Sequence, residues 1–116
     1  MKDYEIKNAI IESVVLEKGD RGVLQCWLHL NYGGSGQGFG GYSLYIPESY
    51  THHELKSFAG HFIFRCMEIA DVQDWSHMKG KCIRVKSNSY GIKAIGHIIN
   101  EDWFDPSLDF KNERSE

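Results

Sequence analysis

Between Tyr32 and Tyr42 the chain reads YGGSGQGFGGY, with glycine at 33, 34, 36, 38, 40 and 41 and Phe39 as the only large apolar side chain. Glycine loses more backbone freedom on folding than any other residue. A small domain therefore keeps such a stretch where the backbone bends unusually or something approaches it closely. Side chains alternate along an extended chain, which puts Gly34, Gly36, Gly38 and Gly40 on one face. Ser35, Gln37 and Phe39 then occupy the other. The glycine face is bare backbone, on which a flat ring or another backbone could lie. A mobile hairpin loop packed by Phe39 is the alternative, and the letters leave both open.

The run GQGFGG, residues 36–41, satisfies G-x-G-x-x-G in letters only. A dinucleotide fingerprint needs a strand before it, a helix opening directly after it, and an acidic residue about 20 positions on. Here the strand-like run Tyr42–Ile46 follows instead, and no Gly-Lys-Ser/Thr closes the stretch as in a P-loop. A backbone nest for an anion needs neither motif.

Outward from this stretch the chain alternates as strands do. Tyr4–Leu16 is rich in β-branched residues and predicts a long first strand, and Val23–Leu30 predicts a second across the polar turn EKGDRG. A third is expected at Tyr42–Ile46, stopped by Pro47. Thr51–Ala70 carries apolar residues at 55, 58, 59, 62, 63, 66, 69 and 70, the spacing of one buried helical face. Thr51 and Glu54 make a capping box, and Gly60 is expected where helix and sheet approach closely. Residues 71–80 read as a short helical turn, with Trp75 and Met78 on one side and Gly80 as the stop. In KCIRVK, residues 81–86, Ile83 and Val85 should face one way and Arg84 and Lys86 the other. Ile92–Ile99 returns as its partner strand across SNSYG.

The order β-β-β-α-β-β predicts an α+β fold: a mostly antiparallel five-stranded sheet with one main amphipathic helix. Either a Greek key or a partly closed barrel satisfies it. Residues 1–106 are expected to form the single domain and 107–116 a polar tail.

The chain has 116 residues and a net charge of −3, enough length for one core and too little positive charge for general nucleic-acid binding. No apolar run is long enough to span a membrane, and MKDYEIK is not a signal peptide. Cys26, Cys66 and Cys82 sit in apolar patterns and read as reduced core residues of a cytoplasmic protein. The six histidines show no metal-ligand spacing, so no metal or other cofactor is expected. No nucleophile elbow is present, so no catalytic residue is assigned. His97 beside Gly96, and Asp102 and Asp105 around Trp103–Phe104, are the groups a small hydrolase would use. Acidic caps on an aromatic anchor are the simpler reading.

A binding surface is easier to assemble. Arg84 and Lys86 project from one face of a strand, and Phe39, Tyr90, Trp103 and Phe104 supply aromatic rings. Guanidinium, aromatic ring and bare glycine backbone suit a planar, anionic ligand. The candidate ligand-binding residues are Gly36, Gly38, Phe39, Gly40, Arg84, Lys86, His97, Trp103 and Phe104. The plain alternative has Trp103 and Phe104 closing the end of the core and Arg84 solvated.

GQGFGGY at 36–42, the 75–80 segment running into KCIRVK, and IGHII at 95–99 followed by DWF at 102–104 carry a resemblance. With them the chain, from Tyr4 to Pro106, resembles a family of small phage- and prophage-encoded proteins. No catalytic residue carries over from that family. The resemblance implies a phage-derived anti-defence protein in the host cytoplasm, forming a homo-oligomer. It would sequester a cyclic nucleotide or ADP-ribose-like signal without turning it over. A protein inhibitor of a host defence complex, of the anti-CRISPR kind, is the second expectation, and a small nucleotide hydrolase the third.

Overall fold

The computed structural model describes residues 4–18, 24–42 and 58–114. Its strands are β1 (Glu5–Lys18), β2 (Leu24–Tyr32), β3 (Ser35–Gly40), β4 (Cys82–Asn88), β5 (Gly91–Gly96) and β6 (Trp103–Phe104). Among the described residues the α-helices are α1 (Phe58–Ala70) and α2 (Pro106–Arg114). All strand pairs are antiparallel, in the order β3-β2-β1-β4-β5-β6. Placing β4 beside β1, after three hairpin-connected strands, is the order of a Greek key. The sheet curls into a half-barrel, so that β3 and β5 approach each other across its inner face. The α+β class with one main helix is as expected, with six strands rather than five.

Period-two alternation sorts the sheet into two faces. Ala9 and Ile11 of β1, Leu28 and Leu30 of β2, Phe39 of β3, Ile83 and Val85 of β4, and Ile95 of β5 are buried on the inner face. Helix α1 lays Phe58, Phe62, Cys66, Ile69 and Ala70 onto them. Phe39 stacks on Phe62 at 5.7 Å and meets Phe104 edge-on at 6.2 Å, which joins both ends of the sheet through the helix. Such ring pairs are each worth about 0.5–1.5 kcal/mol beyond the area they bury.

The glycine stretch itself is the third strand, turning from β2 at Gly33 and Gly34, whose φ angles are +68° and +83°. The strand expected at Tyr42–Ile46 lies, beyond Tyr42, outside the described residues, as do the Thr51 cap and the first turns of its helix. β5 ends at Gly96 instead of Ile99, because the His97 ring turns the chain by accepting the N–H groups of Ile99 and Asn100, each at 3.0 Å. The short turn at Trp75–His77 is a 3₁₀ turn capped by Asp74, and it seats Met78 in the core.

Three expectations need correction. The segment read as a polar tail is helix α2 as far as Arg114. Asp105 caps it, accepting from Ser107 N and Oγ at 3.1 and 2.6 Å, and Pro106 stands first in the helix. Phe110 anchors it by stacking on Phe58 at 4.3 Å. Cys82 is exposed on the outer face, unlike the buried Cys26 and Cys66, because it shares the parity of Arg84 and not of Ile83. Gly60 makes no close approach to the sheet, since a Cβ there would meet nothing within 4 Å. Among the described residues no helix is long and apolar enough to cross a membrane.

Candidate functional site

The outer face of the sheet fills its own bare backbone with its own rings. Gly36, Gly38 and Gly40 pair with Asn31, His29 and Trp27 of β2. The Trp27 indole lies across the glycines: a Cβ on Gly38 would sit 2.9 Å from it, and one on Gly41 only 2.3 Å. A flat ring does lie on this strand, and it belongs to the protein. Covering the glycines of an edge strand with a neighbouring aromatic also shields that edge.

The same device recurs at the far edge. A Cβ on Gly96 would meet the Trp103 indole at 2.6 Å, so the space beside His97 is occupied by Trp103. Arg84, paired with Gly96, holds its guanidinium 4.9 Å from the centre of that ring, and Lys86 its ammonium 4.6 Å from it. Arg84 Nε donates to His97 O at 2.8 Å and an Nη to Asn100 O at 2.7 Å. The same Nη also donates to the Glu101 carboxylate, at 3.2 Å. The Trp103 indole N–H and the Arg84 guanidinium hold the Glu101 carboxyl below its ordinary range. Arg84, Lys86, His97 and Trp103 are therefore brought together, and the Arg84 and Trp103 donors tie the 97–101 loop to the sheet.

The remaining candidates lie elsewhere. Gly36, Gly38 and Gly40 are separated from Arg84 by β2 and β1. Phe39 and Phe104 are core side chains, exposed by 1% and 0%, and touch no outer-face ligand. Asp102 is clasped by Arg65 at 2.8 Å, which holds its carboxyl below the ordinary range. Burial alone would raise Asp105, but Lys93 and Ser107 bond to it and keep it low. Asp105 and the His97 Nδ1 hold backbone N–H groups, and Asp102 is taken up by the Arg65 guanidinium. Cys26 is pushed up to about 12 by burial, the opposite of an activated thiol. Among the described residues no group of three or more metal-binding side chains is present.

A cleft of about 510 Å³ opens on the inner face, where the core gives way to polar residues at the strand ends. Its inner wall is built on core-facing positions. Glu5 and Lys7 continue the parity of Ala9 and Ile11, Ser87 that of Ile83 and Val85, and Tyr32 that of Leu28 and Leu30. Lys7 Nζ lies 5.4 Å from the centre of the Tyr32 ring and 3.4 Å from Glu5. The β4–β5 turn supplies the rim: Asn88 Oδ1 accepts the Tyr90 N–H at 2.8 Å, which leaves the Tyr90 ring 85% exposed beside Ser89. A cation, a carboxylate, hydroxyls, an amide and two phenols thus converge on a volume within the range of small-molecule sites.

Of this cleft, the sequence reading had named Tyr90 alone. The signal for the rest was parity: charged and hydroxyl side chains standing in register with core residues at the end of a strand. No family model matches the chain, and neither a curated protein nor a solved structure does.

Proposed function

We propose that this protein is a phage-derived anti-defence binding protein that captures a nucleotide-type signal in the inner-face cleft and holds it without turnover. The observation that carries the reading is the lining of that cleft, which offers one partner for each part of a nucleotide. Tyr90 and Tyr32 present ring faces for a base, and Lys7 a cation for a phosphate. Glu5 accepts ribose hydroxyls, and Ser87, Ser89 and Asn88 serve polar edges. The lining holds neither histidine nor cysteine among the described residues, and its one carboxylate, Glu5, stands 3.4 Å from Lys7. Capture without chemistry is what sequestering a signal in the host cytoplasm requires.

The test is a thermal-shift screen against cyclic di- and trinucleotides, ADP-ribose derivatives and linear nucleotides. A ligand at 100 times its Kd stabilises the fold by about 2.7 kcal/mol, a plainly measurable rise in Tm. The ligand should be recovered intact after denaturation. Tyr90→Ala and Lys7→Met should each weaken binding about tenfold or more, since stacking of one base is worth roughly 1–3 kcal/mol. A hit that both variants bind normally but Arg84→Ala loses would move the site to the outer face. No hit across the panel would overturn the reading in favour of a protein partner.

A further inference from the structure

Among the described residues, the outer half of β1 is a strand edge with no partner on one side. On its β4 side, Glu5–Ile10 pair with Cys82–Ser87, and Ile11 exchanges backbone bonds with Lys81 O and Gly80 N at 2.9 and 2.7 Å. Beyond that point β1 runs on to Lys18, paired with β2 alone among the described residues. The free stretch, Glu12–Lys18, reads ESVVLEK and is about 24 Å long. In an antiparallel ladder every second residue of such an edge points its N–H and C=O away from the paired strand. Edges of this kind are usually blunted by a proline, a central charge, a bulge or a covering segment. Here the one irregularity lies between Ile11 and Ser13, and Ser13–Lys18 beyond it pair regularly with β2. The middle of this one is Ser13-Val14-Val15-Leu16, and Leu16 is 47% exposed. By contrast, β3 is short and rich in glycine, and Trp27 covers its outer face.

We infer that this edge pairs with the same edge of a second copy of the chain, antiparallel about a two-fold axis through Val15. The occupant follows from self-complementarity. The symmetric register that pairs the whole free stretch is centred on Val15, because Val15 is its midpoint. In that register Val15 faces Val15 of the partner subunit, and Val14 faces Leu16 of the partner subunit. The two Val–Leu pairs lie on the inner face and the Val–Val pair on the outer. A shift of two residues one way sets Leu16 against a glutamate and Glu17 against Ile11, whose backbone is already bonded to Lys81. A shift the other way sets Val14 against a lysine and Val15 against a glutamate. The centred register avoids both mismatches. It joins two half-barrels through their β1–β2 arms and leaves both inner-face clefts open, so it does not depend on what those clefts bind.

Sedimentation across a dilution series tests the pairing in the intact chain. The wild type should dissociate as a dimer to monomer. Val15→Lys sets two like charges opposite each other and should raise the dissociation constant about tenfold or more, with an unchanged far-UV circular dichroism spectrum. Register is read by cross-linking in a Cys82→Ser background. Val15→Cys should oxidise to a covalent dimer across the axis. Ser13→Cys should not, because the two copies would stand about 14 Å apart. A monomer at every concentration, a Val15→Lys dimer as tight as wild type, or Ser13→Cys linking as readily as Val15→Cys would each overturn the inference.

Discussion

Replacing Gly40 by alanine should be the most damaging single-methyl change in the glycine stretch. Its φ is +140°, and an added Cβ would stand 2.0 Å from the Cys26 carbonyl oxygen and 2.9 Å from the Trp27 Cα. Both neighbours are backbone atoms, so no side-chain rotation relieves the overlap. The edge strand must move away by more than about 1 Å, which breaks the bond from Gly41 N–H to Cys26 O, 3.0 Å long. A non-glycine residue at positive φ costs about 1–2 kcal/mol, and a lost ladder bond about 1 kcal/mol. Lifting Trp27 off the strand adds more, for a total of about 3–4 kcal/mol against a global stability on the order of 5–15 kcal/mol. Gly36→Ala is the internal control. Its Cβ would meet only Leu30 O, at 3.9 Å, so the change should be neutral or stabilise by up to about 1 kcal/mol. In urea unfolding followed by circular dichroism, Gly40→Ala should lower the midpoint by about 2 M while Gly36→Ala leaves it in place. If the two variants fall within about 1 kcal/mol of each other, the strand is not packed as described.

Acid should weaken the protein through Asp102 and Asp105. Both carboxyls are held below the ordinary range, so their contribution is fully present above the unfolded pKa of about 3.9 and is lost as pH falls through their lower folded values. Urea midpoints at pH 7 and pH 3 should show this loss. Asp105→Asn should flatten that acid limb and cost about 1 kcal/mol at pH 7 through the weaker link to Lys93. Gly60→Ala should raise stability by about 0.5–1 kcal/mol in the same assay, because Gly60 lies inside α1 with open space around it. A loss of stability there would mean that the glycine is needed for a contact with the sheet after all.

What could be read from the letters was periodicity. KCIRVK places Ile83 and Val85 inside and Arg84 and Lys86 outside, and the face of α1 from Phe58 onward is the one its spacing predicts. The parity of the glycine stretch is equally legible, with Phe39 inward and Gly36, Gly38 and Gly40 outward. Which ring would cover those glycines is not, because Trp27 reaches them only through the register of β2 on β3. β6 is two residues long and has no period to detect, so the sheet gains its sixth strand unannounced. The Asp105-Pro106 pair is a helix start by its chemistry, yet beyond Pro106 the described part of α2 buries a single large apolar side chain, Phe110, too little apolar pattern to be recognised as a helix.

The fate of the aromatic residues explains why the candidate site moved. The arginine, glycine and ring inventory that suits a planar ligand also suits a sheet that must cover its own outer face. Trp27 lies on Gly38 and Gly41, and Trp103 lies on Gly96 between Arg84 and Lys86. At Trp27 the ring and the bare backbone satisfy each other, at Trp103 the cations join them, and in both places a ligand entering would have to displace an indole already packed. Tyr90 differs in that respect. It sits on a turn fixed by the Asn88 side chain, its ring is 85% exposed, and the cleft beside it is open. The turn already fixes the Tyr90 backbone, so stacking has only the side-chain torsions left to order. That asymmetry favours the inner-face cleft over the outer-face cluster, and Tyr90→Ala against Arg84→Ala is the comparison that separates them.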